Sequence, residues 1–269
     1  MDAVDFFGLE QHRHDPRWWQ LPVVPELCSG MGALFGGCAL GAAIEALERT
    51  TERRLVWATA QYLSYARPPS VLQIEVVEAV RGRRVSQGRA VCRVDGDEIV
   101  TVNAALGQRA LPWSGEWAVQ PDVPAPSESR LRAVDARHRG TIMSRLDMRL
   151  ADARDFADLV GEPGDGRCSL WVRLPDLDMS AAALAIVGDY VPFGIGQALG
   201  RRTGSNSLDN TIRVASRRPS EWILADVRVH AVADGFGHGL VHLWAEDGTL
   251  LATASQSAMV REWREERVE

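Results

Sequence analysis

The chain contains no lysine; all 30 of its basic residues are arginine. A Schiff-base lysine, a pyridoxal-phosphate anchor and a P-loop lysine are therefore excluded outright. Cysteine is scarce as well. Cys28, Cys38, Cys92 and Cys168 are the whole set, and no two of them form a Cys-x-x-Cys pair. That spacing argues against zinc ribbons and thioredoxin-like redox motifs. The start, Met1-Asp2-Ala3-Val4-Asp5, lacks the basic and apolar regions of a secretory leader, so the expectation is four free thiols in a reducing cytoplasm. No run approaches ~18 consecutive apolar residues, so no membrane span is expected. No Gly-x-Ser-x-Gly elbow occurs, which argues against an α/β-hydrolase. The net charge of −6 argues against a nucleic-acid partner. What remains is 269 residues with 46% apolar and 25% charged content, enough to bury a core without disulfide or metal staples.

The first ~30 residues, with Phe6, Phe7, Trp18, Trp19, Pro22 and Pro25, read as a packed arm. Cys38 to Arg49 is apolar nearly all round and reads as a buried helix. Strand-like segments follow at Leu55–Ala66, Val71–Val80, Val85–Val94 and Ile99–Leu106. Their joints are short turn signals such as Arg67-Pro68-Pro69-Ser70 and Asp95-Gly96-Asp97, which imply antiparallel pairing. A proline-bearing linker comes next, then a charged stretch from Arg145 to Asp158 without a clear pattern. After that the order repeats. An Ala-rich helix spans Met179 to Val187, and strands run at Leu208–Ala215, Trp222–Ala233, Gly239–Ala245 and Leu250–Val260. Asp95-Gly96 leading to Thr101 mirrors Asp247-Gly248 leading to Thr253, which marks a duplicated unit. Two such units can join their sheets and protect the open edges. The expected divisions are 1–110, an N-terminal unit with its arm; 111–167, a linker region; and 168–269, a C-terminal unit.

Several short motifs resemble the bacterial acyl-CoA thioesterase II family. They are Leu34-Phe35-Gly36-Gly37 entering the first helix, Tyr62-Leu63-Ser64-Tyr65 with Arg67-Pro68, Ser205-Asn206-Ser207-Leu208-Asp209, Glu246-Asp247-Gly248-Thr249-Leu250 with Gln256, and the ending Met259-Val260-Arg261. The resemblance covers roughly residues 30–110 and 178–261. It implies an α+β double hotdog: two antiparallel sheets joined edge to edge, each wrapped around an apolar helix.

Strand alternation puts Leu208, Ile212 and Val214 on one face, and Asp209 with Thr211 and Arg213 on the other. By spacing alone Asp209 is a solvated strand carboxylate; the resemblance implies that it deprotonates the water attacking a thioester. Gln256, flanked on its face by Ala254 and Ala258, is implied to hold the same water. His230 stands where the family has threonine or serine, and is expected either to pair with Asp209 or to act as base itself. The Gly36-Gly37 amides at a helix start suit a developing oxyanion, or close helix–sheet packing. Other features carry less. Gly194-Ile195-Gly196 with Gly200 does not follow a strand and has the wrong spacing for a dinucleotide loop. Cys38 has no histidine near it in sequence and reads as a core thiol. His238 and His242 lack a third metal ligand. Arg261 to Arg267 reads as a solvated helical end.

The function these readings imply is hydrolysis of a fatty acyl-CoA to fatty acid and coenzyme A, with acyl-CoA as substrate, no cofactor, and further homo-oligomeric assembly. Arg67, Arg217 and Arg218 are available for the CoA phosphates. Two alternatives stay open: a non-catalytic acyl-CoA or lipid-binding protein, and an enoyl-CoA hydratase that would use an Asp/His pair.

Overall fold

The computed structural model describes residues 1–159 and 161–263. Among them are thirteen strands: β1 (Glu10–Gln11), β2 (Trp18–Val23), β3 (Leu55–Tyr62), β4 (Ser70–Arg81), β5 (Val85–Val94), β6 (Asp97–Gly107), β7 (Arg130–Leu131), β8 (Asp147–Asp152), β9 (Arg167–Arg173), β10 (Thr203–Val214), β11 (Ile223–Ala233), β12 (Phe236–Ala245) and β13 (Leu250–Glu262). They form one antiparallel sheet in the order β1-β2-β4-β5-β6-β3-β10-β13-β12-β11-β9-β8-β7. The β5–β6 turn needs positive φ at two successive residues, and Asp95 (51°) and Gly96 (91°) adopt it. Asp-Gly tolerates that conformation, which matches the twist of the flanking strands.

The two halves meet where β3 pairs with β10, Gln61 opposite Asp209 through to Trp57 opposite Arg213. At the centre of this joint Thr59 and Thr211 lie opposite one another, with their hydroxyls 2.7 Å apart. They are separated by 152 positions. The same offset relates Asp95-Gly96 to Asp247-Gly248. A pseudo-twofold axis thus passes between the two threonines, and residue n of the first half corresponds to residue n + 152 of the second. This is the double hotdog expected from the sequence, with the two sheets continuous.

Four helices are described: α1 (Ala3–Phe7), α2 (Gly36–Thr51), α3 (Ala181–Val187) and α4 (Val191–Leu199). Leu40, Ile44 and Leu47 of α2 are fully buried, as is most of α3. Helix α2 packs on α3 at close range because glycine occupies the contact. A Cβ at Gly37 would lie 2.8 Å from the Ile186 Cα, and one at Gly41 would lie 3.0 Å from the Ala182 carbonyl oxygen. The apolar stretch 181–199 is long enough for a membrane span, but it lies mostly buried within the protein. It is not continuous. Pro192 has no N–H to bond the Gly188 carbonyl, and its ring would clash with it, so the helix breaks at Gly188–Tyr190 and restarts with proline in its first turn.

The arm packs into the core through Phe6, Phe7, Trp19 and Leu21, and β2 adds a strand beside β4. The stretch 111–167 is not only a linker. Its strand β8 pairs with β9 and buries Met148 and Leu150, while Arg149 and the flanking aspartates mask this short alternation in the sequence. The glycines of α4 serve packing and capping: a Cβ at Gly194 would strike Val227, and Gly200 ends the helix with φ of 62°. Of the C-terminal charged stretch, Arg261 and Glu262 extend β13, and residues 264–267 lie outside the described residues.

Gly37→Ala should lower unfolding stability by about 1–3 kcal/mol, because overpacking against backbone outweighs the gain in helix propensity of roughly 1 kcal/mol. Urea denaturation of the variant beside wild type measures this.

Candidate active site

The helix break carries the only charged residue between Met179 and Gly200, Asp189. Its side chain is buried and points across the joint between halves to the start of α2. There Oδ2 accepts the Gly37 N–H at 2.7 Å. Phe35 provides no side-chain cap, so the first-turn amides of α2 are open to such a partner, and the positive end of the helix favours an anion. Oδ1 accepts from Nε2 of Gln256, which also donates to the Ser207 hydroxyl at 2.6 Å. Three residues from three separate elements are thereby tied to one carboxylate or to each other.

Ser207 reaches this position through a bulge in β10. Ser207 pairs with Ala258 and Asp209 with Ser257, so Leu208 is the extra residue. The insertion reverses the alternation. Ser207 faces inward with Asn210 and Ile212, and Leu208 is turned out. Asp209 falls on the outer face beside Gln61, where its Oδ1 accepts the Ser257 N–H at 2.9 Å. The expectation that Asp209 shares a water with Gln256 is corrected accordingly: the two side chains project from opposite faces. His230 is corrected for a related reason. It is the extra residue of a second bulge, between Val229 and Ala231 of β11, and it is exposed. Strands β13 and β12 stand between it and β10, a separation of roughly 14 Å at the usual strand spacing, so no Asp209–His230 dyad forms.

Gln256 and the Gly36-Gly37 pair do meet, but the two glycines differ. The Gly37 amide is committed to Asp189, whereas among the described residues the Gly36 N–H has no partner. A Cβ at Gly36 would lie 2.7 Å from Asp189 Oδ2 and 3.1 Å from the Tyr62 hydroxyl, so glycine keeps the space between these groups clear. Three buried polar atoms around that space lack partners among the described residues: the Tyr62 hydroxyl, Gln256 Oε1 and the Ser205 hydroxyl. A cavity of about 400 Å³ opens from it, lined by Leu34, Phe35, Leu63, Ile99, Val100 and Leu208. A second, of about 230 Å³, reaches Asp189 from the side of Tyr190 and Phe193.

Burial pushes the Asp189 carboxyl up to about 7, and hydrogen bonds from Gln256, Gly37 and Ser207 hold it from rising further. A carboxylate poised near neutrality, beside unpaired donors and an apolar cleft, is equipped to move a proton. The cysteines are not equipped to attack. All four are buried, and burial pushes Cys28 up to about 11, Cys92 to about 12, and Cys38 and Cys168 well above the ordinary thiol value. Of the candidate phosphate-binding arginines, Arg217 is spent on Glu48 at 2.5 Å and Arg218 on Asp247, while Arg67 donates to the Met31 carbonyl at 2.9 Å. Asp189, Ser207 and Tyr62 are the residues that sequence reasoning missed. Only Asp189 left a clear signal, as a lone acid inside an apolar helical stretch.

Residues 24–107 match the family model described as the acyl-CoA thioesterase N-terminal domain, and residues 119–260 match its C-terminal counterpart. No curated protein matches significantly. Among solved structures, a protein from Novosphingobium aromaticivorans assigned as a thioesterase is 30% identical, with a TM-score of 0.82 over 93% of this chain and 97% of that one. Acyl-CoA thioesterase II TesB2 from Mycobacterium marinum, at 18% identity, has a TM-score of 0.75 over 97% of this chain and 98% of its own. A hot dog fold protein of unknown function from Alicyclobacillus acidocaldarius, at 23% identity, reaches 0.85 over 97% and 98%. The last two likenesses speak to the fold alone.

Between its ordinary value of 3.8 and about 7, Asp189 is ionised in the unfolded chain and neutral in the folded one. Its contribution to stability therefore falls as pH rises through that window and stays low above it. The stability of Asp189→Asn relative to wild type should rise by about 1–4 kcal/mol between pH 4 and pH 8. A flat difference in urea midpoints across that range would contradict the assignment.

Proposed function

The chain belongs to the acyl-CoA thioesterase family, and we propose that it hydrolyses a fatty acyl-CoA thioester to fatty acid and coenzyme A by direct attack of water. The observation that carries this reading is Asp189, a buried carboxylate with its pKa near 7 at the edge of an apolar cleft. In its ionised form it takes one proton from a water held beside the Ser207 hydroxyl and Gln256 Oε1. The oxygen of that water bonds to the thioester carbon. The negative charge that develops on the carbonyl oxygen is met by the Gly36 N–H and the Tyr62 hydroxyl. When the intermediate collapses, the carbon–sulfur bond breaks and the thiolate takes the proton back from Asp189.

Direct attack fits the residues better than a covalent intermediate. The hydroxyl of Ser207 bonds Gln256 and, among the described residues, no histidine, and the thiols are buried and raised. A hydratase would need the Asp209–His230 pair, and these residues are kept apart by two strands. A non-catalytic binding protein would have no use for a carboxylate raised to about 7 against unpartnered donors, and turnover decides between that reading and ours.

Thiol release from a panel of acyl-CoAs of different chain lengths is the direct test. Asp189→Asn should lower kcat by roughly 10² or more, as expected for loss of a general base, with Asp209→Asn within about twofold of wild type. Tyr62→Phe should lower kcat by about tenfold or more with little change in KM, as expected for loss of one oxyanion donor. The pH profile of kcat/KM should rise with unit slope and level off near 7. No thiol release from any acyl-CoA would overturn the reading in favour of binding without turnover.

A further inference from the structure

The two cavities that meet at Asp189 differ in charge. The larger, toward Leu63 and Leu208, has no charged lining residue except Asp189 itself. The smaller runs past Tyr190 and Phe193 and is continuous with a basin of about 850 Å³; Gly30, Met31, Arg132, Arg137 and His138 line both. Arg202, Asp135 and Asp155 also line the basin.

The guanidinium groups of this basin are held by aromatic faces. Arg132 lies over Phe193 at 4.9 Å, and Arg137 lies over Trp263 at 4.1 Å and Phe156 at 5.3 Å. Arg202 faces Phe156 from another side at 5.4 Å, but its N–H groups are engaged by the Phe156 and Ala157 carbonyls. Stacking fixes the plane of a guanidinium while leaving its N–H edge available, which is the geometry phosphate recognition uses. Arg137 is shared with Asp135 at 2.6 Å in an ion pair that is about two-fifths exposed, so solvent screens it and an incoming anion can compete. Arg132 sits at the neck between basin and cavity. Its polar neighbours are the Met148 sulfur at 3.2 Å and the Tyr190 hydroxyl, and no carboxylate among the described residues pairs with it. An unneutralised, half-buried arginine next to the residue that follows Asp189 calls for an anionic partner.

An acyl-CoA has the matching asymmetry: an apolar chain at one end, phosphates and an adenine at the other, and a neutral pantetheine arm between. We propose that this basin binds the phosphorylated nucleotide end of coenzyme A, with Arg132 and Arg137 contacting its phosphates. The pantetheine arm threads the neck, and the acyl chain occupies the uncharged cavity beyond Asp189. This assignment rests on the thioesterase reading and fixes the direction in which the substrate lies.

The test compares one acyl group on two carriers, acyl-CoA and acyl-pantetheine, which lacks the nucleotide. Arg132→Gln and Arg137→Gln should each raise KM for the acyl-CoA by about tenfold, the scale of a lost charge-assisted hydrogen bond. For acyl-pantetheine, kcat/KM should move by less than twofold. Because Arg132 also packs on Phe193, the more exposed Arg137 guards against a folding artefact. Equal losses on both carriers would overturn the proposal. So would the same split appearing in Arg67→Gln and not in the two variants, since Arg67 lies beside the opposite cavity. Should wild type release no thiol, the thioesterase reading fails separately. Calorimetric titration with coenzyme A then tests the basin alone: affinity weakened about tenfold by Arg132→Gln supports it, and unchanged affinity overturns it.

Discussion

The hydrogen bond from the Gly37 amide to the Asp189 carboxylate is the contact on which the rest of the site depends. It joins the first turn of a helix in one half to a helix break in the other. The fold satisfies several conditions for it at once. Pro192 interrupts the second helical stretch, so the carboxylate stands in a gap and not on a helix flank. The absence of a side chain at residue 37 lets the helices approach until backbone nearly meets backbone. The unmet amides of α2 supply the field that makes an anion tolerable where water is excluded. Without the hydrogen bonds from Gln256, Gly37 and Ser207, desolvation would raise the group further.

The joint also explains how the sheet can be nearly symmetric while the chemistry is not. With the offset of 152 set by Thr59 and Thr211, Asp189 corresponds to Gly37, Ser207 to Leu55 and Gln256 to Ala104. Each of these three polar residues has an apolar or minimal image. The images of these three residues therefore supply no carboxylate, hydroxyl or amide side chain, and Leu55 and Ala104 belong to the core.

Much of this architecture was legible in the sequence because it rests on local rules. Asp-Gly turns, alternating strands and all-apolar helices each announce themselves within a dozen residues, and the recurrence of the Asp-Gly turn exposed the duplication. Gln256 was singled out by the family resemblance, and the structure finds it buried in a strand whose plain alternation also buries Ala254 and Ala258. The errors came from bulges. One extra residue at Leu208 turned Ser207 inward, while Asp209 stayed on the face that alternation with Thr211 gives it and was drawn into the site only by the resemblance; another bulge placed His230 outside the ladder, and nothing in the local composition marks either position. Strand β8 was hidden because arginine and aspartate dominate its six residues. Asp189 was overlooked although an isolated acid in an apolar stretch is costly and therefore informative.

Gly37 and Asp189 occupy equivalent positions, and this has a consequence for how such a site can be assembled. Two identical subunits related by a true twofold would place the same residue at both ends of that contact. One amino acid would then have to be small enough for backbone contact and also bear a carboxylate, which no side chain does. Covalent joining of two copies removes the restriction, since the positions are then encoded separately. Here one copy of the position is glycine and the other is aspartate. The linkage between the halves thus permits a division of roles that a symmetric pair of this geometry cannot have.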